Sequence, residues 1–135
     1  MNIKRYLLAS LVAYIVKQVT TFIIHGVIIT GEYTALGQIW RPDMMNWMWL
    51  FNVLDIPSIL LITYIFVKGY ENKGIMEGVR FGLILGILMW IGGAFANWIT
   101  FPITLSLAVK WFVFGVLQMV ITGIVLTLIY KPKKV

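Results

Sequence analysis

Five residues set in apolar sequence could do chemistry together. Lys17 and Gln18 fall at the midpoint of one apolar run, residues 6–30. Asp55 falls near the midpoint of another, residues 45–67, with Asn52 one turn before it. Gln118 is near the centre of a run over residues 107–130. If these runs cross a bilayer, each charge is stranded in hydrocarbon at a cost of about 2.5–3.5 kcal/mol. The simplest resolution is an ion pair between Lys17 and Asp55, hydrogen-bonded to Gln18, Asn52 or Gln118. Such a centre could bind or pass a small polar solute, an ion or a proton, because intramembrane ionisable side chains mark such paths. The same pair could instead be glue that fixes helix register, since desolvation cancels much of its attraction.

A second set sits nearer one end of the runs. Thr21 and His25 follow Lys17 at i+4 and i+8, on one helix face. His25 is then about 12 Å from Lys17 along the axis. With Asn52, Asn97 and Lys110, these residues would line an outward-facing polar vestibule leading down to Lys17 and Asp55. Histidine is the side chain that titrates near neutral pH. The alternative is packing, in which each group makes one interhelical hydrogen bond of about 0.6 kcal/mol.

The elements that must position these residues are membrane spans. The chain has 135 residues and is 61% hydrophobic, against about 45–50% for a soluble domain. Four apolar runs, residues 6–30, 45–67, 79–101 and 107–130, each approach the roughly 20 residues that a bilayer crossing needs. They predict an all-α bundle of four antiparallel transmembrane helices in a single domain, residues 1–135. The start of the chain, MNIKRY, has the charge of a signal peptide, but the run behind it is too long and is interrupted by Lys17, so the first span reads as retained.

Local signals refine this picture. Pro57 lies two residues after Asp55 and predicts a kink that frees a carbonyl near Val53. Trp47, Trp49, Tyr33, Trp40 and Trp98 suit the interfaces. Lys110 can extend outward beside Trp111. The first connection, residues 31–43, should place Glu32, Arg41 and Asp43 in solvent, with Pro42 as a helix start or turn. The second, residues 68–80, reads as a charged, glycine-rich solvent loop. Gly78, Gly82 and Gly86 form a small-residue face that Gly93 and Asn97 roughly continue. That face serves either close packing within the bundle or contact with another copy.

Charge gives the orientation. Eight basic residues (Lys4, Arg5, Lys68, Lys73, Arg80, Lys131, Lys133, Lys134) fall at one end and two (Arg41, Lys110) at the other. The bias predicts that both termini are cytoplasmic. The net charge of +6 is thus an orientation signal rather than a nucleic-acid footprint. No cysteine and one histidine exclude disulfides and thiolate chemistry and argue against a protein-only zinc or haem site. No Ser-His-acid set, carboxylate pair or phosphate-cradling loop is present. The chain reads as a non-enzyme with no catalytic residue, cofactor or metal.

The stretch HGVIITGEYTALGQIWRP, His25 to Pro42, resembles a pattern in small four-span bacterial membrane proteins of unknown function. It has a histidine-glycine pair ending span one, then a tyrosine and a tryptophan-arginine-proline group in the outer connection. KGYENKGIMEGVRFG, Lys68 to Gly82, has the same character. The resemblance covers about a quarter of the chain. It implies a bacterial cytoplasmic membrane and carries no activity with it. The small multidrug resistance transporters are similar in size and span count, but they need a membrane-embedded glutamate in the first helix, where this chain has Lys17.

Two functions follow as expectations. One is binding or translocation of a small polar solute, ion or proton at the Lys17/Asp55 site. The other is a structural or accessory subunit that packs against a partner's membrane helices, or against its own copies, with the pair serving assembly.

Overall fold

The computed structural model describes residues 1–132. Lys133 and Lys134, counted above among the orientation signals, lie outside the described residues. The chain forms α1 (Ile3–Thr21), a π-helical continuation (Phe22–Ile28), a short α2 (Thr30–Ala35), then α3 (Met44–Lys68), α4 (Ile75–Thr100) and α5 (Leu105–Ile129). Among the described residues there is no strand. Four stretches are long and apolar enough to cross a membrane: Ile3–Ile28, Met44–Lys68, Ile75–Thr100 and Leu105–Ile129. At about 1.5 Å per residue, each exceeds the roughly 30 Å hydrocarbon thickness. The protein is an all-α, multi-pass membrane bundle.

Helix boundaries follow local chemistry. The Asn2 side chain caps α1 by accepting from the Arg5 amide at 3.3 Å, and Thr104 caps α5 by accepting from the Leu107 amide at 3.1 Å. These bonds satisfy amides that have no partner in a first helical turn. The third span starts at Ile75, earlier than residue 79, because its first turn is held from outside the helix. The buried Glu77 carboxylate accepts from the backbone amides of Glu71 at 2.6 Å and Lys73 at 2.7 Å. The expected solvent loop therefore shrinks to residues 69–74 and folds back over a buried acid. The first connection likewise is not all loop, since α2 occupies its start.

The tightest pair is α4 with α5. A Cβ at Gly78 would lie 2.2 Å from the Gly123 carbonyl oxygen, and one at Gly82 would lie 2.4 Å from the Met119 carbonyl oxygen. The two backbones touch, which only glycine permits at this separation. The small-residue face of the third span is therefore occupied by α5 and is not available to another copy. Gly93 does not extend it, because a Cβ there would meet nothing within 4 Å.

On its other flank α5 carries α1, and α1 in turn carries α3, which touches α5 only marginally. Two apolar cores result. Near the end where Asn2 meets Tyr130, Ala9, Ala13, Ile59, Ile62, Phe66, Met119, Leu126 and Tyr130 form one cluster. Phe66 of α3 reaches the α4 ring of Phe81, with centroids 5.1 Å apart. At the far end, Ile24, Ile29, Ile103, Leu107 and Ala108 form a second cluster, ringed by Tyr33, Trp40 and Trp111 among others. Every buried or packed residue of this second cluster comes from elements other than α3. The first half of α3, Met44 to Leu54, stands apart from it.

Candidate functional site

Lys17 and Asp55 meet between α1 and α3. Lys17 Nζ donates to Asp55 Oδ2 at 2.6 Å, and Gln18 Nε2 donates to the same oxygen at 3.0 Å. Both residues sit near the middle of their helices, so antiparallel neighbours bring them to one height. The side chains remain 17% and 23% exposed. Neither charge is fully sealed: the pair lies at the seam of the two helices. It also has unused capacity. Asp55 Oδ1 accepts from no described group, and the ammonium can donate three bonds.

Gln118 and Asn52 do not join this pair. Gln118 Nε2 turns to α1 alone, donating to Thr20 Oγ1 at 2.9 Å, Thr21 Oγ1 at 2.8 Å and the Lys17 carbonyl at 3.2 Å. It ties α5 to α1. Thr21 is consumed by this contact. Asn52 takes part only through its backbone carbonyl, which accepts from the Tyr14 hydroxyl at 3.2 Å. Its side-chain amide is exposed and has no hydrogen-bond partner among the described residues.

The expected vestibule is not formed. Lys17 bonds to α3, Thr21 to α5 and His25 to α2, and the π-helical stretch from Phe22 to Ile28 shifts His25 off the face set by the α-helix before it. π-turns of this kind accompany functional sites often enough to make His25 a residue of interest. His25 Nδ1 lies 2.5 Å from the Tyr33 hydroxyl, with the two rings nearly parallel. Trp111 Nε1 donates to that hydroxyl at 2.7 Å, and Trp40 Nε1 donates to the Tyr33 carbonyl at 3.2 Å. With Trp111 filling one lone pair, the Tyr33 proton is free to go to His25 Nδ1. Burial pushes the Tyr33 phenol up to about 12; the Trp111 bond opposes this and the nearby Glu32 charge adds to it.

Lys110 extends outward as expected and stays 44% exposed. It pairs with Glu32, which Thr104 Oγ1 also approaches at 3.5 Å. The expected solvent position of Glu32 is therefore corrected: α2 turns Glu32 and Tyr33 back onto the start of α5. Asn97 stays on its own helix, donating to the Gly93 carbonyl at 2.6 Å. Of the vestibule set, only His25 and Lys110 are drawn together, through successive residues of α2. Arg41 and Asp43 pair with each other, and the Trp47 indole donates to Asp43 at 2.9 Å.

Tyr33, Trp111 and Glu32 are the polar residues that sequence reasoning missed as a unit. Tyr33 and Trp111 had the look of interface anchors, and nothing in their spacing shows that α2 folds back. The available signal was GEY four residues beyond the histidine-glycine pair, which puts a second polar side chain within reach of His25.

Comparisons with protein-family models, curated proteins and solved structures find no match. What the arrangement can do must come from its own surface. Among the described residues no three His, Asp or Glu side chains converge to hold a metal ion. Two shallow hollows mark the surface, one along α3 against Arg41, Met44, Trp47, Leu50, Phe51 and Leu54, the other over residues 34–39. Neither is lined by Lys17 or Asp55.

The exposed face of α3 is the notable feature. Met48 lies five helical turns before Phe66, so both point the same way. Phe66 is 2% exposed and Met48 is 43% exposed. Asn52 stands two turns before Ile59 and three before Thr63, both buried. The line of residues that builds the core in the second half of α3 continues upward uncovered. Pro57 marks the change: the buried residues of α3 are Ile59, Ile62, Thr63 and Phe66, all beyond it. The helix runs unbroken through Pro57, and Asn52 and Asp55 before it are still bonded to α1.

Proposed function

We propose that this protein acts by lateral association in the membrane, as an assembly or accessory subunit that receives a further transmembrane helix against the first half of α3. The observation that carries this reading is the bare Asn52 amide on a face that is core elsewhere in the same helix. A polar group in hydrocarbon is costly when unpaired, and polar side chains in lipid act as interhelical links. The incompletely covered Lys17–Asp55 pair, with Asp55 Oδ1 unengaged, lies one turn below Asn52 and extends the same surface. Within the subunit the pair fixes α3 against α1, so the docking face is held at a set height. The charge bias puts both termini and the 69–74 loop on the cytoplasmic side, which places the docking half of α3 in the outer leaflet.

The experiment is site-specific photocrosslinking in native membranes. A photoreactive residue at Met48 or Asn52 should give discrete protein adducts. One at Leu88, on the lipid face of α4 and 71% exposed, should give lipid adducts alone. Lipid adducts at all three positions would overturn the reading.

A second reading is supported by the partial exposure of both charges. A small polar solute could reach the pair laterally and use the spare bonds of Lys17 and Asp55. It is separated from the first by binding measurements on the purified protein with Lys17→Met and Asp55→Asn variants, which would abolish solute binding but leave adducts at Met48 in place.

A further inference from the structure

The lateral-association reading leaves the occupant of the docking face open, and the residues of that face narrow it. Met45, Trp49, Asn52 and Ile56 are spaced by four, three and four, the pattern of a helix seam. Met45 is 76% exposed, Trp49 56% and Ile56 47%, and Asn52 is exposed beside them. This edge runs from the far end of α3 to its middle, and the Asn52 backbone carbonyl is its one hydrogen-bonded link to another helix, through the Tyr14 hydroxyl of α1.

We infer that the occupant is a second copy of this chain, paired along this edge about a two-fold axis normal to the membrane; the inference rests on the reading of α3 as a docking element. Two copies inserted in the same orientation present α3 in parallel, and a two-fold axis makes the interface self-complementary. Residues along the seam then meet their own counterparts at one depth. A side chain placed there must satisfy itself. Lysine or aspartate would repel its copy, and a methyl or ring carries no hydrogen bond. A carboxamide has an acceptor oxygen and two N–H donors, so the Asn52 amides of the two copies can each donate to the other. A foreign helix has to bring a matching polar group to this depth, whereas a second copy brings it by symmetry.

Two further features fit this occupant. Lys17 and Asp55 neutralise each other inside each subunit, at 2.6 Å, so the copies do not repel across the seam. The glycine face of α4, the other surface suited to close self-association, is already filled by α5. In coiled coils a single asparagine in an apolar seam fixes register and partner number, and Asn52 is the one polar residue of this seam.

The chain has no cysteine, so Asn52→Cys places one thiol in the molecule. The Asn52 side chain bonds to nothing within the subunit, so the variant keeps the fold. Mild oxidation of membranes containing it should give a reducible species of twice the chain mass. Ile84→Cys, on α4 and 70% exposed, should give none. In a second measurement, energy transfer between labelled copies diluted in bilayers, Asn52→Leu should weaken self-association about five-fold, while Asn52→Gln retains most of it. A disulfide-linked product of Asn52→Cys with a different protein would overturn the second-copy inference and leave lateral association standing. Absence of any linked product, together with lipid-only adducts at Met48, would overturn both. Equal self-association of Asn52→Leu and the natural chain would also overturn the role given to the amide.

Discussion

The two ends of the bundle are built on different terms. Near the termini, side chains from α1, α3 and α5 share one core, and Phe81 of α4 packs at its edge. At the far end the core is made by the π-helical extension of α1, the following connection, α4 and α5, and α3 takes no part. One end is closed by packing, and the other is closed on three sides and open on the fourth. The same helix lies in both regions, so the difference is not one of hydrophobicity. It lies in what each half of α3 faces. Apolar residues before Pro57 gain nothing from touching the bundle that lipid does not already offer, since helix association in a bilayer depends on fit and on polar links. The bundle itself supplies Asn52 with only a bond to its backbone.

This contrast can be broken first at the closed pair. Gly82→Val pushes side-chain atoms into the α5 backbone, where a Cβ already would stand 2.4 Å from Met119. The variant should lose at least about 3 kcal/mol or fail to accumulate. Gly93→Ala, which meets nothing within 4 Å, should be neutral. Equal effects of the two in reversible unfolding would remove the close α4–α5 contact from the account.

The next effect concerns the ion pair. Asp55→Leu leaves Lys17 in hydrocarbon without its partner and should cost about 3 kcal/mol. The double change Lys17→Met, Asp55→Leu should recover most of that loss, because neither charge then needs a counterpart. Stability measured in mixed micelles for the two singles and the double gives the coupling directly. A double variant no better than Asp55→Leu alone would mean that the two side chains do not depend on each other.

Smaller, but closest to the contrast itself, is a matched pair on α3. Ile59→Ala removes a side chain that is 2% exposed and should cost about 2 kcal/mol. Met48→Ala, on the continuation of the same face, should change subunit stability by less than about 0.5 kcal/mol. A large effect at Met48 in the isolated subunit would mean that the open side is in fact packed.

The smallest effect is a pH response of Tyr33 at the far end. The Tyr33 phenol titrates near 12 when folded, against the ordinary 10. The folded state therefore holds a proton that the unfolded chain has released, so the contribution is full below pH 10 and fades as pH rises towards 12. Tyrosinate absorbance should lose its highest-pH step in Tyr33→Phe. A step that persists would assign it to another phenol.

Much of this was legible in the chain. The four spans follow from run length alone, and the meeting of Lys17 with Asp55 follows from two opposite charges at equal depth on neighbouring helices. The glycine face was legible as close packing, though not its partner, since spacing does not say which helix approaches. The polar residues outside the pair misled for a shared reason. Thr21, Asn97 and Gln118 were read as pointing where helical periodicity aims them, but Asn97 bonds back to its own helix, Thr21 and Gln118 bond to each other, and the π-turn and α2 bring His25 to Tyr33. An extra residue in a helical turn leaves no trace in composition. The exposure of the first half of α3 was likewise hidden, because the residues before and after Pro57 are equally apolar.

The most direct test of the open side is oxygen accessibility of a nitroxide label carried along α3, in bilayers at a lipid-to-protein ratio high enough to keep single subunits apart. Labels at Ile59, Ile62 and Phe66 should be protected, while labels at Met48 and Asn52 should be as accessible as one at Leu88. Protection at Met48 and Asn52 equal to that at Phe66 would show α3 packed along its whole length, and with it the docking face would be gone.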